Sequence, residues 1–165
     1  MIRAIETVYN GYKFRSRLEA RWAIYFDALG IQYEYEPEGF DLGEAGWYLP
    51  DFYLPRVGMW AEVKRVPLTP RERKKAEALS QQSGEPVLML VGLPDKRSYW
   101  ACGTGHDYVL AHHHDYYTTE NRFFCATGID EGDTPTEYVL DMFGDFEIRA
   151  ILKAKQARFE HGERP

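Results

Sequence analysis

With 165 residues, the chain fits one domain, or one domain with an elaborated tail, and its hydrophobic share of 44% is ordinary for a protein with a buried core. Its net charge of −6 argues against a general nucleic-acid binder. The charge is uneven, however: residues 1–84 carry 12 Lys and Arg against 12 Asp and Glu, and residues 85–165 carry 8 against 14. A cation held by acids of the first half would make that half positive.

The sequence also predicts a cytoplasmic protein without a membrane span or an organic cofactor. No apolar run follows the charged residues at the N-terminus, and no stretch reaches the roughly 18 apolar residues that a membrane helix needs. Cys102 and Cys125 lie far apart in the chain, as is typical of free thiols in a reducing compartment. Gly103-Thr104-Gly105 is too short for a phosphate-binding loop.

The first predicted element is a helix over Arg15–Leu29. Apolar residues recur in it at helical spacing: Leu18, Trp22, Tyr25, Phe26 and Leu29. Ser16 is the expected N-cap, with Glu19 three residues later as in a capping box. Gly30 is the expected residue just past the end of the helix.

Three strands are predicted after this helix. Ile31–Glu36 alternates apolar and polar residues, as a half-buried strand does, and the Gly-rich and acidic Pro37–Gly46 is expected to be a loop. Trp47–Leu54 is the second predicted strand, and Pro50 makes it an edge or a bent strand. Met59–Arg65 is the third and the most apolar.

A second helix and a buried strand complete the unit. Thr69 is a good N-cap and Pro70 a good first helical residue, so we expect a helix that ends near Gly84. Pro86–Gly92 is an unbroken apolar run, as in a strand that is covered on both faces. The order of helix, three-stranded meander, helix and buried strand predicts an α/β unit with a mixed sheet.

The chain beyond residue 92 is predicted to be an elaboration rich in β-structure, closed by a helix. Short aromatic runs predict strands at Ser98–Cys102, Tyr108–Leu110 and Arg122–Ala126, and Asp130–Thr136 is expected to be a loop. Asp145–Phe159 is expected to be the terminal helix, with Phe146, Leu152 and Phe159 on one apolar stripe.

Two acids and a lysine form the sharpest chemical signal. Residues two apart in a strand share a face, so Glu62 and Lys64 point the same way. If the second and third strands pair as a hairpin, Asp51 comes close to Glu62. Two carboxylates without nitrogen or sulfur ligands suit a hard cation such as Mg²⁺. Such charged groups are costly to bury on an apolar strand without partners.

Pro50-Asp51 followed by Glu62-Val63-Lys64 resembles the motif of the PD-(D/E)XK, or restriction-endonuclease-like, nuclease superfamily. The Arg15-Ser16-x-x-Glu19 pattern is similar to the first helix of many members, and the fit is closest to small phage and transposon-type endonucleases. The resemblance covers roughly residues 12–92. It implies a nuclease core over residues 1–92, with 93–165 packed on the same core, in a protein of a bacterial host or a phage.

The resemblance implies a role for each of these residues. Asp51 and Glu62 would hold Mg²⁺, for which Mn²⁺ can substitute, together with the backbone carbonyl of Val63. Lys64 would orient or help deprotonate the attacking water and offset charge on the phosphate. Glu19 would tune the metal site or help to bind a second ion. Independently of the resemblance, hydrolysis of a phosphodiester needs a nucleophile at neutral pH, a neutralised phosphate and a stabilised leaving oxygen. Mg²⁺ can serve all three, and a positioned general base can add to them.

Basic residues flank the acids on the predicted helices and after the third strand. Those expected to contact nucleic acid are Arg15, Arg17, Arg21, Arg65, Arg71, Lys74 and Lys75. The same run of charges on the second helix is also typical of a solvated helix face.

Simpler interpretations stay open at this point. Asp51 could be a turn aspartate, Glu62 and Lys64 a solvated strand face, and Glu19 a capping acid or a partner of Arg15. His112–Asp115 is expected to be a surface turn, since consecutive histidines in a strand cannot all face one metal.

The predicted function is a Mg²⁺-dependent DNA endonuclease, dimeric if it cuts both strands of a duplex. One alternative is an inactive relative that binds nucleic acid or protein, for example as a DNA mimic or anti-defence protein. Another is the same chemistry on RNA or on a branched junction.

Overall fold

A computed structural model of the chain describes residues 5–56, 58–66, 69–94, 99–102, 122–123, 140–141 and 144–159. Its helices are α1 (Arg17–Leu29), α2 (Pro70–Ser83) and α3 (Gly144–Gln156), and Gly43–Ala45 forms a 3₁₀ turn. Its strands are β1 (Thr7–Tyr9), β2 (Tyr12–Phe14), β3 (Glu34–Tyr35), β4 (Phe40–Asp41), β5 (Trp47–Tyr48), β6 (Phe52–Leu54), β7 (Met59–Lys64), β8 (Val87–Val91), β9 (Tyr99–Cys102), β10 (Arg122–Phe123) and β11 (Leu140–Asp141). The predicted strand Tyr108–Leu110, the loop Asp130–Thr136 and the turn His112–Asp115 lie outside the described residues.

A mixed sheet of five strands, in the order β3-β6-β7-β8-β9, is the largest sheet in the described part of the chain. Strands β3, β6 and β7 form an antiparallel meander, and β8 runs parallel to β7. Helix α2 makes the crossover that a parallel pair needs. Strand β9 adds antiparallel to β8. The predicted α/β unit with a mixed sheet is confirmed.

Helix α1 is set by local signals at both ends, as predicted. The Glu19 backbone N–H donates to the Ser16 hydroxyl at 3.2 Å, and Gly30 ends the helix at φ 69°. Because Ser16 caps the helix, the first helical residue is Arg17 and not Arg15. The indole N–H of the buried Trp22 donates to the carbonyl of Gly92 at 2.9 Å and ties α1 to the end of β8.

The two faces of the sheet pack against different helices. Phe52, Met59, Ala61 and Leu88 belong to a buried cluster shared with α1 and α3. On the other face, a smaller cluster joins the sheet to α2 and to the β4–β5 hairpin; its buried members are Leu42, Tyr48, Trp60, Ala76, Leu79, Val87 and Met89. The sheet is therefore covered on both sides, as the apolar run of β8 predicts.

The prediction of one strand over Trp47–Leu54 was wrong. Trp47–Tyr48 pairs with Phe40–Asp41 in a separate hairpin, while Phe52–Leu54 joins the main sheet. Pro50 lies at the break, where a residue without an N–H cannot continue a ladder. Pro37–Gly46, predicted as a loop, contains β4 and the 3₁₀ turn.

The predicted first strand, Ile31–Glu36, is shorter in the structure, where only Glu34–Tyr35 is paired in the sheet. Glu36 has a positive φ of 47°, which turns the backbone out of the extended conformation.

An N-terminal hairpin was not predicted. Strands β1 and β2 pair around Asn10 and Gly11, whose φ angles are 47° and 82°. Asn-Gly is the preferred pair for a turn with two positive φ angles, so the local sequence did contain the signal.

Helix α3 confirms the predicted terminal helix, but not its apolar stripe. Leu152 is 48% exposed, and Phe159 lies beyond the last helical residue. The buried face consists of Ala150, Ile151 and Ala154, which pack with the following Ala157 in the cluster around α1. Small side chains allow α3 to lie close to the bulky aromatic residues of α1. Among the helices that the structure describes, none is both long enough and apolar enough to cross a membrane.

Candidate functional site

Asp51, Glu62 and Lys64 meet at one end of the central sheet. Strands β6 and β7 pair with Phe52 opposite Ala61, so the start of β6 lies beside the end of β7. Along β7, Glu62 and Lys64 share the face of Trp60, which packs toward α2. The hairpin that would bring Asp51 to Glu62 is thus confirmed, and the acids lie on the same side.

Short contacts connect the three side chains. The backbone N–H of Asp51 donates to Oε2 of Glu62 at 3.3 Å. Nζ of Lys64 lies 2.7 Å from Oε1 of Glu62 and 3.4 Å from Oε1 of Glu72 on α2. Asp51 is only 3% exposed and Glu62 only 6% exposed. A hydrophobic sheet interior rarely holds two carboxylates so deeply unless they are paired or bind a cation.

The backbone of Val63 faces the two acids. Its N–H donates to Oδ2 of Asp51 at 2.7 Å. On the β8 side, the Trp60 N–H donates to the Pro86 carbonyl, and the Lys64 carbonyl accepts from the Gly92 N–H. Since backbone groups alternate along a strand, the carbonyl of Val63 points to the same side as its N–H, toward Asp51. This side therefore presents two carboxylates and one carbonyl oxygen.

Glu19 is held apart from this pair by its own hydrogen bonds. The Tyr35 hydroxyl donates to Oε2 of Glu19 at 2.6 Å, and the Ser16 hydroxyl donates to Oε1 at 2.6 Å. The backbone N–H of Arg15 also donates to Oε2 at 3.0 Å. Within the described residues, no three His, Cys, Asp or Glu side chains gather closely enough to hold a metal ion.

Arg15 connects Glu19 to the two acids through its side chain. Its Nη2 donates to Oδ1 of Asp51 at 2.9 Å, and its Nε pairs with Glu36. The predicted pairing of Arg15 with Glu19 thus runs through the backbone N–H and not through the guanidinium. In this arrangement Arg15 neutralises an acid, whereas the sequence predicted a phosphate contact.

The electrostatics of the site follow from its burial. Burial raises the pKa of Asp51 well above its usual range, and the negative charges of Glu62 and Glu19 add to this effect. Burial alone lowers the pKa of Lys64, but the neighbouring Glu62 and Glu72 carboxylates outweigh it, and the pKa is raised. Lys64 is therefore a proton donor and a positive charge in this arrangement, and not a free base.

An open cleft of about 490 Å³ borders these side chains. Its lining residues are Arg15, Trp47, Tyr48, Leu49, Glu62, Lys64, Arg71, Glu72 and Lys75. Four of them are basic and two are acidic, so the cleft suits an anionic ligand that also needs carboxylates beside it.

The predicted nucleic-acid contacts divide into two groups. Arg15, Arg71 and Lys75 line the cleft. The others do not: Arg65 and Lys74 are exposed elsewhere, Arg17 is half-buried on α1, and Arg21 donates to the Ala157 carbonyl at 3.4 Å and stacks over Phe159 at 5.6 Å.

Sequence reasoning missed two tyrosines that border the acids. Tyr48 is buried, and its pKa is raised by burial and by the charges of Glu62 and Asp51, with a hydrogen bond to Glu62. Tyr35 holds Glu19. Tyr35 occupies an apolar position of the alternating run Ile31–Glu36, and Tyr48 precedes Pro50-Asp51, but neither pattern specifies a carboxylate partner.

The donor set fits Mg²⁺, which proteins usually hold by one or two carboxylates while the ion keeps several waters. Asp51, Glu62 and the Val63 carbonyl are such a set. Neither a protein family model nor a curated protein sequence matches this chain.

Proposed function

We propose that this protein is a Mg²⁺-dependent nuclease that hydrolyses phosphodiester bonds, with DNA as its substrate. The observation that carries the proposal is the meeting of Asp51, Glu62 and Lys64 at one sheet end, beside a basic cleft. The order of α1, antiparallel meander, α2 and parallel β8 supports a restriction-endonuclease-like core. Mg²⁺, which Mn²⁺ replaces, would be held by Asp51, Glu62 and the Val63 carbonyl.

A bound divalent cation would supply Lewis acidity that stabilises charge on the phosphate and makes water a better nucleophile at neutral pH. The protein's own groups do the rest. Lys64 carries a proton and a positive charge beside Glu62, so it orients water and offsets charge on the phosphate. Arg71 and Lys75 on α2 bind flanking phosphates from the wall of the cleft.

Glu19 acts in this proposal by positioning. Its two oxygens accept hydrogen bonds from Tyr35, Ser16 and the Arg15 backbone N–H. Glu19 therefore fixes the start of α1 and the backbone of Arg15, whose side chain contacts Asp51. A cation held by Asp51 would compete with Arg15 for that carboxylate, because both groups are positive.

Cleavage of supercoiled and linear DNA, with and without Mg²⁺ or Mn²⁺, tests the proposal. We expect metal-dependent nicking by the wild type and none by Asp51→Asn or Glu62→Gln. Glu77→Gln on α2, outside the residues that line the cleft, is the matched control and should cut like the wild type. Cleavage that persists in Asp51→Asn, or a wild type that never cuts, would overturn the proposal.

One observation favours a second function, a binding module without catalysis. Arg15 and Lys64 already neutralise Asp51 and Glu62, so the fold does not depend on a cation at this site. Such a protein would bind nucleic acid or a partner and would show no Mg²⁺-dependent rise in melting temperature that is lost in Glu62→Gln.

A further inference from the structure

Trp47 is exposed at the cleft that holds the candidate active site. It is 65% exposed, although large aromatic side chains are generally well buried. The cleft it lines also contains Glu62 and Lys64. An exposed tryptophan beside Glu62 and Lys64 is a suitable contact surface for a ligand with a flat apolar face.

The position of the indole is constrained from one side. Its benzene portion lies against Gly39, where an added Cβ would collide with the ring. Lys75 bonds to the Trp47 backbone carbonyl at 2.8 Å, which anchors α2 to this strand. Trp47 is therefore held against Gly39 while most of its surface stays exposed.

The neighbours of Trp47 favour nucleic acid over protein as the occupant. Among the described large apolar residues that are exposed, only Trp47 lines the cleft; the others are Ile5, Val8, Val66, Leu93, Ile148 and Leu152. A protein interface needs a contiguous apolar core, which one isolated indole does not supply. Arg71 and Lys75, which line the same cleft, instead match the phosphates of a nucleic-acid strand.

We propose that Trp47 is a stacking platform for an unpaired base, so that the protein acts on strands with single-stranded nucleotides at or next to the scissile bond. This inference rests on the proposed function. A base inside a duplex is already stacked on both faces and cannot cover the indole unless it is unstacked. An unpaired base stacks on Trp47 while its phosphates contact Arg71 and Lys75, and its backbone then passes Lys64 and Glu62 in the same cleft.

Binding of a short oligothymidylate to the full chain in EDTA tests the inference, since no cleavage occurs without metal. Trp47→Ala is expected to weaken binding about fivefold to a hundredfold, the range for loss of one aromatic stacking partner. Trp47→Phe keeps a ring and should lose less. Val8→Ala, which removes an exposed apolar side chain outside the cleft lining, is the control and should bind like the wild type.

Two further readouts decide what Trp47 contacts. The fluorescence difference between wild type and Trp47→Phe isolates this indole, and oligothymidylate should quench it. A blunt duplex of the same length should bind Trp47→Ala and wild type almost equally. Equal oligothymidylate affinity in both, or an equal loss for duplex and single strand, would overturn the inference. So would a change in sedimentation of Trp47→Ala with unchanged oligothymidylate binding, which would assign the indole to a protein interface.

The two proposals fail in different experiments. Metal-dependent cleavage without Trp47-dependent binding would overturn the stacking platform and leave the nuclease. Trp47-dependent binding by a wild type that never cuts would leave a binding surface for single strands and overturn the nuclease.

Discussion

The two faces of the central sheet differ in what they bury. The face toward α1 and α3 buries aromatic and aliphatic side chains, with Phe52 in ring contact with Phe14, Phe26, Tyr33 and Tyr35. The face toward α2 buries fewer apolar residues and, at its open end, Asp51 and Glu62.

Because of this difference, the same strands carry residues that stabilise the fold on one face and residues of the candidate site on the other. On β7, Met59 and Ala61 point into the large core, while Glu62 and Lys64 point to the cleft. Buried charges lower the stability of a fold unless they are well compensated, so the large core stabilises the sheet that holds them. We expect substitutions on the two faces to affect different measurements.

Lys64→Met should produce the largest effect, on the cleft face. It removes the charge and the proton donor while keeping the length of the side chain, so kcat should fall by about 10²–10⁴-fold with Mg²⁺. The melting temperature should also fall, because the buried Glu62 loses the ammonium group that compensates its charge, so kcat is measured well below that temperature.

Arg65→Gln is the matched control for Lys64, one residue later and exposed. It should leave kcat and KM close to the wild-type values, because Arg65 does not line the cleft. A Lys64→Met variant with wild-type kcat would show that Lys64 is a structural partner of Glu62 only.

Phe52→Ala should have the largest effect on the opposite face. Removal of a fully buried ring that contacts four other rings should lower the free energy of unfolding by about 3–5 kcal/mol. Urea titration measures this, and the surviving folded fraction should keep its Mg²⁺ dependence. A decrease in the free energy of unfolding below roughly 1 kcal/mol would be typical of a surface site. It would mean that this face is not the stabilising one.

Asp51→Asn should stabilise the protein while it abolishes cleavage. The pKa of Asp51 is raised in the folded chain, so above about pH 4 the unfolded chain has lost a proton that the folded chain retains. The free energy of unfolding therefore falls as pH rises from about 4 to the raised pKa of Asp51. Above that pKa the folded chain bears the full cost of holding the Asp51 carboxylate charged.

An asparagine cannot ionise, so Asp51→Asn should remove this dependence of stability on pH. It should also raise the free energy of unfolding by about 0.5–2 kcal/mol at neutral pH. Thermal melts across pH measure both effects. Asp41→Asn, which replaces an exposed aspartate, should leave the pH profile of the wild type. A lower stability of Asp51→Asn at neutral pH would show that the ion pair with Arg15 outweighs the cost of burial.

Lys75→Ala should have the smallest effect: a weaker affinity for DNA, together with loss of the hydrogen bond from α2 to the Trp47 carbonyl. Loss of one phosphate contact should weaken binding evenly across sequences and reduce the slope of log affinity against log salt by about 1. Lys74→Ala is the neighbouring control, since Lys74 does not line the cleft. Equal slopes for the two variants would remove α2 from the proposed DNA path.

Local patterns predicted the elements that carry the site. The caps Ser16 and Thr69 and the terminal glycines bound α1 and α2 close to the predicted limits, because capping depends on residues within one turn. The Glu62 and Lys64 pair was predicted to share a face from strand alternation alone. The Asn10-Gly11 turn was equally local and could have been predicted.

Other features depended on partners far away in the chain. The split of Trp47–Leu54 follows from two different pairing strands, and the outward Leu152 follows from the close packing of α3 on α1. Arg15 contacts Asp51 36 residues away, and Tyr35 contacts Glu19 16 residues away. No local pattern encodes which distant side chain a charged group will meet.

The amino-acid sequence by itself determined helices α1 and α2, their caps, strands β7 and β8 and the shared face of Glu62 and Lys64, because these depend on short-range geometry. It also predicted that Asp51 would join them if two strands paired as a hairpin. Only the tertiary structure decided that Glu19 stands apart in its own hydrogen bonds, that Arg15 neutralises Asp51, and that Trp47 lines the cleft. These outcomes depend on how the helices and the hairpin pack on the sheet, and packing brings together residues that no spacing along the chain connects.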